Sequence, residues 1–267
     1  MIIVCDLDGT LSDASGSISA ANAGALRWAR ERGATCVLAT SRPSRCLDLP
    51  MEQRALFDCI ITCDGAEQVV PEPAGVHLPL PPSAAHRARR TLRDAHIAGT
   101  YAVEFGTGLG HEHGYLGWPA TDIGVTARVG SLQELCGLGP MARIFFRPRT
   151  QDALFAATAC LTDESISVTI MRETQSAGLV QLCSRSATKG NAVRAWLAGT
   201  GRSRRLVVFG DQLNDLSMLE LADDAMVVGN ADPSLRRRFT HLPNDDFAAV
   251  ARAIRQIPEG LLPTYGP

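Results

Sequence analysis

The sequence has no long hydrophobic run, no basic N-terminal stretch and no marked excess of charge of either sign. Its 26 basic and 28 acidic residues give a net charge of -2, which provides no overall field for attracting nucleic acid or an anionic membrane. No apolar segment reaches the length of about 20 residues that crosses a bilayer. The first residues also lack the features of a secretory signal peptide. We therefore expect a cytoplasmic protein with no nucleic-acid and no membrane partner.

The eight cysteines are scattered, mostly within apolar segments, and no two form a CxxC pair. This spacing fits neither a zinc site nor a disulfide framework, so we expect reduced cysteines that behave as small apolar side chains. The 267 residues are 45% hydrophobic, which is enough for a sizeable core. The length favours one large domain or a core with a smaller companion, and it gives no prediction of oligomeric state.

Short apolar segments alternate with helical patterns in the N-terminal part of the chain. Strands are predicted at residues 2–5 (IIVC), 35–40 (TCVLAT) and 58–62 (DCIIT), and a helix is predicted from the N-cap Ser19 to Gly33. The strands are continuously apolar rather than alternating, which is typical of parallel strands covered on both faces. The pattern predicts an α/β fold with a doubly wound (Rossmann-like) parallel sheet.

Two proline-rich stretches, VVPEPAG and LPLPPS, interrupt this pattern. The order that follows from about Ser83 is helix, strand, glycine-rich loop, strand, helix and two strands, which predicts an α+β module with an antiparallel sheet. The α/β alternation resumes after Ser184. We therefore expect a core formed by residues 1–75 and 186–267, with the α+β module of residues 76–185 inserted into it.

Polar residues follow several predicted strands of the core. Ligands of open parallel sheets bind at the carboxyl ends of the strands, and the acids at these ends are Asp6, Asp8, Asp211 and Asp215. Four carboxylates in one crevice would raise one another's pKa unless a cation lay between them. A hard cation with oxygen ligands, Mg²⁺, is the simplest solution.

A bound metal would allow these carboxylates to divide the work of phosphoryl transfer. Asp6 is placed to attack phosphorus, and Asp8, two residues later, could reach the leaving-group oxygen. The hydroxyl of Thr40 and the ammonium of Lys189 would neutralise charge on the phosphoryl oxygens. Lys189 begins a predicted helix, whose N-terminal amides favour anions.

Four motifs carry a resemblance to a known family. They are DLDGTL at residues 6–11, LATSRP at 38–43, TKGNAV at 188–193 and GDQLNDLSML at 210–219. In type and order they resemble the motifs of the haloacid dehalogenase (HAD) superfamily. The position of the inserted module is similar to that in the Cof-type sugar-phosphatase branch, which carries an α+β (C2-type) cap. The resemblance therefore implies that residues 76–185 form a cap that determines substrate specificity.

The resemblance also implies roles for the matching residues. Asp6 would form an aspartyl-phosphate, Asp8 would act as general acid and then base, and Thr40 and Lys189 would hold the phosphoryl group. Substrate or phosphate binding would further involve Ser41, Arg42 and Asn214. The metal ligands would be Asp6, the main-chain carbonyl of Asp8, and Asp211, while Asp215 would bind the metal or orient its ligands.

The chain departs from Cof-type relatives in three places. Ser41 stands where a glycine is usual, Asp64 where an asparagine is usual, and Gln212 where a smaller residue is commoner. Asp64 adds negative charge near the site, which could disfavour highly anionic substrates or bind a substrate hydroxyl; a plain Asp-Gly turn is an equal alternative. In the inserted module, residues 104–119 are predicted to be a long loop with polar and aromatic residues such as Trp118.

Three functions remain open from the sequence. The first is a Mg²⁺-dependent phosphatase of a small phosphorylated metabolite, a sugar or polyol phosphate, which acts through an aspartyl-phosphate. The second is a phosphomutase similar to phosphomannomutases, whose core and cap are alike. The third is a non-catalytic binding protein on the same scaffold, against which the complete set of six core residues (Asp6, Asp8, Thr40, Lys189, Asp211 and Asp215) argues.

Overall fold

The computed structural model describes residues 1–70, 75–106, 108–117, 119, 126–171, 178–200, 205–243 and 247–257. The chain divides into two compact units. The first comprises Met1–Ala74 and Thr188–Pro267, and the second comprises Gly75–Ala187. No helix among the described residues is both long enough and apolar enough to cross a membrane.

Strands and helices of the first unit alternate along the chain. Before the second unit they are β1 (Ile2–Cys5), α1 (Ala20–Glu31), β2 (Thr35–Ala39), α2 (Met51–Arg54), β3 (Cys59–Thr62) and β4 (Glu67–Val70). The second unit contains β5 (Gly75–Val76), α3 (Pro82–Asp94), β6 (Gly99–Phe105), β7 (Gly108–His111), β8 (Arg128–Val129), α4 (Leu132–Cys136), β9 (Met141–Pro148), α5 (Gln151–Cys160), β10 (Ile166–Met171) and β11 (Leu179–Ser184). The chain then returns to the first unit with α6 (Lys189–Thr200), β12 (Leu206–Gly210), α7 (Leu216–Leu219), β13 (Asp224–Val228), α8 (Pro233–Arg236), β14 (Thr240–Leu242) and α9 (Ala249–Gln256).

The sheet of the first unit is parallel over most of its width. Its strands run in the order β14-β13-β12-β1-β2-β3-β4, and only the β3–β4 pair within this order is antiparallel. The central strands β1, β2 and β12 are buried along their whole length. This burial explains their continuous apolar sequences, and the predicted doubly wound α/β fold is confirmed.

Helices cover both faces of this sheet. On one face, Leu26 of α1 and Ile254 of α9 pack in the cluster that contains Ile3 of β1. On the other face, α6, α7 and α8 contribute apolar side chains to the cluster that contains Val4. Each fully buried aliphatic side chain contributes about 1.5–3 kcal/mol of stability, so the alternation of β1 between the two faces anchors both helical layers.

The first helix shows how the sequence sets an element boundary. The side chain of Ser19 accepts a hydrogen bond from the main-chain N–H of Asn22, which caps the helix as predicted. Gly33 follows the C-terminus at φ +79°, a left-handed conformation that glycine adopts without strain. The hydroxyl of Ser19 also donates to the carbonyl of Phe247 at 2.8 Å, which ties α1 to the segment before α9.

The second unit has a sheet in the order β10-β11-β9-β6-β7-β8. All neighbours are antiparallel except β7 and β8, which pair in parallel. Apolar side chains of α3, α4 and α5 form one cluster with Val103 of β6 and Ile144 of β9. The predicted α+β composition with an antiparallel sheet therefore holds for this unit.

The prediction of a long loop at residues 104–119 is wrong for its first part. Residues 104 and 105 end β6, and Gly108–His111 form β7, which pairs with β6 as a hairpin. The error arose because glycine has low strand propensity, and here pairing with a neighbouring strand outweighs that propensity. Trp118 lies outside the described residues.

Helix α4 was also missed, although its start carries a sequence signal. Ser131 and Glu134 form a capping box, in which the serine side chain binds the N–H of Glu134 and the glutamate binds the N–H of Ser131. The SxxE pattern before a short apolar segment is the usual sequence mark of this motif.

Candidate active site

The predicted site residues of the first unit follow the carboxyl ends of adjacent strands. Asp6 comes directly after β1, Thr40 after β2 and Asp211 after β12. Because these strands are parallel neighbours, their carboxyl ends lie at one edge of the sheet. All three residues are buried. The main-chain N–H of Asp6 donates to the carbonyl of Phe209, which fixes β1 and β12 in register at this point.

Lys189 links two of the predicted carboxylates. Its Nζ donates to Oδ1 of Asp6 at 2.6 Å and to Oδ1 of Asp215 at 2.7 Å. The lysine side chain is only 1% exposed, although it is the first residue of α6 and is charged. It is also the only lysine in the sequence. A buried ammonium is tolerated where carboxylates surround it in this way.

Asp215 uses its second carboxylate oxygen to hold the turn after β12. Oδ2 accepts hydrogen bonds from the main-chain N–H groups of Asp211 at 2.8 Å and Gln212 at 3.0 Å. Both oxygens of Asp215 are therefore engaged, one with Lys189 and one with this turn. The arrangement orients Lys189 and Asp211 relative to each other.

Three side chains position the carboxylate of Asp211. Thr10 donates to Oδ1 at 3.2 Å, while Gln212 at 2.9 Å and Asn230 at 3.3 Å donate to Oδ2. Gly9 passes so close that a Cβ at this residue would lie 2.4 Å from Oδ2 of Asp211, and its φ of +82° also favours glycine. The glycine of the DLDGTL motif is therefore required by close packing as well as by backbone conformation.

The charges of the cluster do not balance within the protein. Burial, with Asp215 and Asp211 nearby, raises the pKa of Asp6 well above its ordinary value, although Lys189 opposes the shift. Burial likewise raises the pKa of Asp211. Burial alone would lower the pKa of Lys189, but the carboxylates of Asp6 and Asp215 outweigh it and raise that pKa, so the ammonium is the stable form.

The donor set fits a hard divalent cation. Asp6, Asp211 and Asp215 each offer one carboxylate oxygen, and these oxygens lie within 4.8 Å of one another. Three carboxylates and the single ammonium of Lys189 leave two negative charges, which one divalent cation would balance. All-oxygen ligands are those that Mg²⁺ prefers.

Asp8 points to a different partner from the other acids. Its carboxylate forms a two-pronged ion pair with Arg42, in which Nε donates to Oδ2 at 2.9 Å and Nη2 donates to Oδ1. Arg42 also donates to the carbonyl of Gly16 at 3.1 Å. The Asp8 side chain is 52% exposed and is not part of the acidic cluster. A metal contact through its main-chain carbonyl stays a prediction.

Thr40 is fully buried, and its hydroxyl accepts a hydrogen bond from the main-chain N–H of Arg42 at 3.1 Å. Ser41 and Asn214, the remaining predicted binding residues, meet at Asp64. The Ser41 hydroxyl donates to Oδ1 of Asp64 at 2.7 Å, and the Asn214 amide donates to the same oxygen at 2.9 Å. Two of the three residues predicted to depart from the Cof-type pattern, Ser41 and Asp64, are thus in direct contact.

Sequence reasoning missed Thr10 and Asn230 as parts of the site. Thr10 lies inside a motif that was recognised, but its spacing gave no sign that it would reach Asp211. Asn230 follows the apolar segment AMVV by two residues, as Asp8 follows IIVC by three. Applying the strand-end rule to β13 would have identified it.

The doubly wound sheet thus carries a buried lysine–carboxylate cluster at the carboxyl edge of its strands. The sequence model of the haloacid dehalogenase-like hydrolase family matches residues 3–102 and 142–254, which is most of the chain. The chain therefore belongs to this family of hydrolases.

Individual relatives cover nearly the whole chain. The pyridoxal phosphate phosphatase YbhA of Escherichia coli K12 is 25% identical over 257 residues, which is 92% of this chain and 93% of that protein. A haloacid dehalogenase-like hydrolase from Bacteroides thetaiotaomicron has a similar structure, with a TM-score of 0.76 and 23% identity over 96% of this chain and 99% of that one. A sugar phosphatase of HAD subclass IIB gives a TM-score of 0.75 at 17% identity, over 97% and 99% of the two chains. The two structures share the fold with this chain.

Proposed function

We propose that the protein is a Mg²⁺-dependent phosphatase that hydrolyses a small phosphorylated metabolite through an aspartyl-phosphate at Asp6. The observation that carries this proposal is the buried contact between Lys189 and Asp6 at the carboxyl edge of the sheet. A carboxylate held by a fixed cation, next to two further acids, suits attack on phosphorus.

In the first step, Oδ of Asp6 forms a bond to phosphorus and the bond from phosphorus to the leaving-group oxygen breaks. Lys189 and Thr40 bind the equatorial phosphoryl oxygens, where negative charge accumulates. Lys189 is well suited to this role because Asp215 holds it in place, so that little reorganisation is needed during the reaction.

Asp8 supplies the proton that the leaving alcohol needs and then acts as a base in the second step. It removes a proton from water, the oxygen of that water attacks phosphorus, and the bond from phosphorus to Asp6 breaks to release inorganic phosphate. Arg42 occupies both oxygens of Asp8 in the structure. We therefore expect the substrate to displace this guanidinium before Asp8 transfers a proton.

Asp6, Asp211 and the main-chain carbonyl of Asp8 would hold Mg²⁺, which when bound supplies positive charge to the phosphoryl oxygens. Asp215 would orient these groups, since hydrogen bonds engage both of its oxygens. The core of residues 1–75 and 186–267 would carry this chemistry, and residues 76–185 would form the cap that selects the substrate.

The substrate class follows from small-molecule phosphatases of the same fold. Sugar and polyol phosphates are the first candidates, and pyridoxal 5′-phosphate is added because it is the substrate in the name of the 25% identical relative. The test is phosphate release from a panel of these esters with and without Mg²⁺, with Asp6→Asn run beside the wild type. We expect release only by the wild type and only with the metal.

The covalent step has its own readout. Acid quenching during turnover and reduction with borohydride would convert an aspartyl-phosphate at residue 6 into homoserine, which mass spectrometry detects. Phosphate release without this product would contradict the proposed intermediate.

If hexose 1- and 6-phosphates interconverted without phosphate release, the protein would be a phosphomutase instead. Silence of wild type and variant on the whole panel would favour a non-catalytic binding protein.

A further inference from the structure

The two carboxylate oxygens of Asp64 differ in the hydrogen bonds that they accept. Oδ1 accepts hydrogen bonds from the hydroxyl of Ser41 at 2.7 Å and from the amide of Asn214 at 2.9 Å. These two donors also contact each other, because Asn214 Nδ2 lies 2.7 Å from Ser41 Oγ. Oδ2 receives no hydrogen bond from any residue that the structure describes. One oxygen is therefore used to build the site, and the other is available to a ligand.

The main chain holds this carboxylate in a fixed place. Cys63 and Asp64 both have left-handed backbone conformations, with φ of 51° and 56°. Gly65 continues the turn at φ +103° and lies against the start of α6, where a Cβ would come within 2.3 Å of the carbonyl of Thr188. The turn therefore packs closely against the residue that precedes Lys189.

The turn is also joined to the proposed phosphate-binding segment. The main-chain N–H of Asp64 donates to the carbonyl of Thr40 at 3.2 Å, and its side chain binds the next residue, Ser41. Asn214, on the other side, precedes Asp215 directly. The half-buried Asp64 carboxylate therefore lies between the two segments that supply Thr40 and the Lys189–Asp215 pair.

We propose that Oδ2 of Asp64 selects substrates by the group that neighbours their phosphoryl group, a role that rests on the proposed phosphatase function. A carboxylate oxygen accepts hydrogen bonds and cannot donate them. It would bind a substrate hydroxyl or ammonium, and it would repel a second phosphate or a carboxylate. The preferred substrates are then monophosphates with a hydrogen-bond donor near the ester, rather than bisphosphates or phosphorylated acids.

The substitution Asp64→Asn isolates this property. Asparagine can keep Oδ1 as the acceptor for Ser41 and Asn214, and it replaces Oδ2 by an NH₂ group that donates. Asparagine is also the residue, after glycine, that best tolerates a left-handed backbone. The substitution therefore inverts the hydrogen-bonding character of one atom and removes one charge while it leaves the turn intact.

The test uses four two-carbon phosphate esters that differ only in the terminal group. These are 2-hydroxyethyl phosphate, phosphoethanolamine, ethyl phosphate and 2-phosphoglycolate, which present a hydroxyl, an ammonium, a methyl and a carboxylate. Each ester is measured both as a substrate and as a competitive inhibitor of p-nitrophenyl phosphate hydrolysis, so that esters with slow turnover still report binding. All values are compared as ratios between esters within one enzyme variant.

For the wild type, we expect the hydroxyl and ammonium esters to be preferred over 2-phosphoglycolate. In Asp64→Asn, the ratio of kcat/KM, or of the inhibition constants, should shift towards 2-phosphoglycolate by at least about tenfold, which corresponds to the lower end of the range for a hydrogen bond to a charged group. A purely structural lesion would lower kcat/KM for all four esters together and leave the ratios equal to those of the wild type. That result would overturn the proposal.

Glu31→Gln is the matched control, because it removes one negative charge from an exposed residue at the C-terminus of α1, just before β2 begins. It therefore lies at the opposite edge of the sheet from Asp64, and its ester ratios should equal those of the wild type. Hydrolysis of p-nitrophenyl phosphate by the wild type but not by Asp6→Asn tests the phosphatase function separately. If that hydrolysis occurs and the ratios do not respond to Asp64→Asn, only the selection role fails.

Discussion

Replacing Lys189 by methionine should destabilise the fold as well as abolish activity. Methionine has nearly the length of lysine, so the substitution removes the ammonium with little change in packing. Asp6 and Asp215 then lose the cation that lies 2.6 and 2.7 Å from their oxygens. The cluster that carries two surplus negative charges in the wild type would carry three.

Removing one partner of a buried ion pair costs about 3–5 kcal/mol. In a domain of this size, 1 kcal/mol corresponds to about 2–4 °C in Tm, so the expected decrease in Tm is roughly 6–20 °C. The wild-type lysine contacts two carboxylates and is 1% exposed. We therefore place the expected loss in the upper half of this range.

The loss of stability should depend on pH in a defined direction. The pKa of Asp6 is already raised in the folded protein, and loss of Lys189 would raise it further. A carboxyl group whose pKa is higher in the folded state stabilises the fold at low pH, and this contribution is lost as the pH rises through the folded-state pKa. The difference between wild type and Lys189→Met should therefore be smallest near pH 5 and should increase towards pH 8.

Urea denaturation at several pH values, in buffer with EDTA, measures this difference directly. Arg194→Met is the control, since Arg194 is an exposed cation on the same helix whose side chain donates a hydrogen bond to Oδ1 of Asn191 at 2.8 Å. Its free energy of unfolding should stay within about 0.5 kcal/mol of the wild type. If Lys189→Met were as stable as the wild type at pH 8, the argument from buried charge would be refuted.

Three further predictions concern single positions. Gly9→Ala should lower kcat/KM by about 100-fold, because the new Cβ would push Asp211 out of position. Asp211→Asn should abolish the stabilisation that Mg²⁺ gives the wild type. That stabilisation is about 2.7 kcal/mol at 100 times the Kd and is measured as an increase in Tm. Ser19→Ala should lower the free energy of unfolding by about 1 kcal/mol in urea, since the N–H of Asn22 loses its cap.

Each of these changes has a comparison that could contradict it. Gly24→Ala, on α1, places a new Cβ that meets nothing within 4 Å beyond the backbone of its own helix, so it should leave activity intact. An equal loss in both glycine variants would exclude the packing argument. Asp163→Asn, on the second unit, should keep the response to Mg²⁺. An unchanged midpoint in Ser19→Ala would mean that the hydrogen bond of the cap adds nothing to stability.

The sequence was sufficient to predict those features that depend on local pattern. Continuous apolar strands indicated the parallel sheet, and polar residues after β1, β2 and β12 indicated where a site would form. Lys189 could be placed at the start of a helix, but its burial could not be foreseen, since an isolated lysine is usually exposed. The burial results from two acids that are distant in sequence, 183 and 26 residues away.

Contacts between side chains from different segments were beyond prediction for the same reason. Nothing in the sequence pairs Asp8 with Arg42, or brings Ser41 and Asn214 onto one oxygen of Asp64. In the second unit, β7 could not be predicted, because its glycines have low strand propensity and it forms a strand only through pairing with β6. Long-range pairing decides these features, and single-residue preferences do not encode it.

The solitary lysine has a consequence for the covalent chemistry open to this protein. Carbonyl compounds condense only with unprotonated amines, and the one lysine amine of the chain is buried and held in its ammonium form by two carboxylates. The other 25 of the 26 lysine and arginine side chains are arginine, whose guanidinium does not lose its proton in proteins. A phosphorylated aldehyde could therefore bind to and dissociate from this protein repeatedly without forming an imine with a lysine side chain.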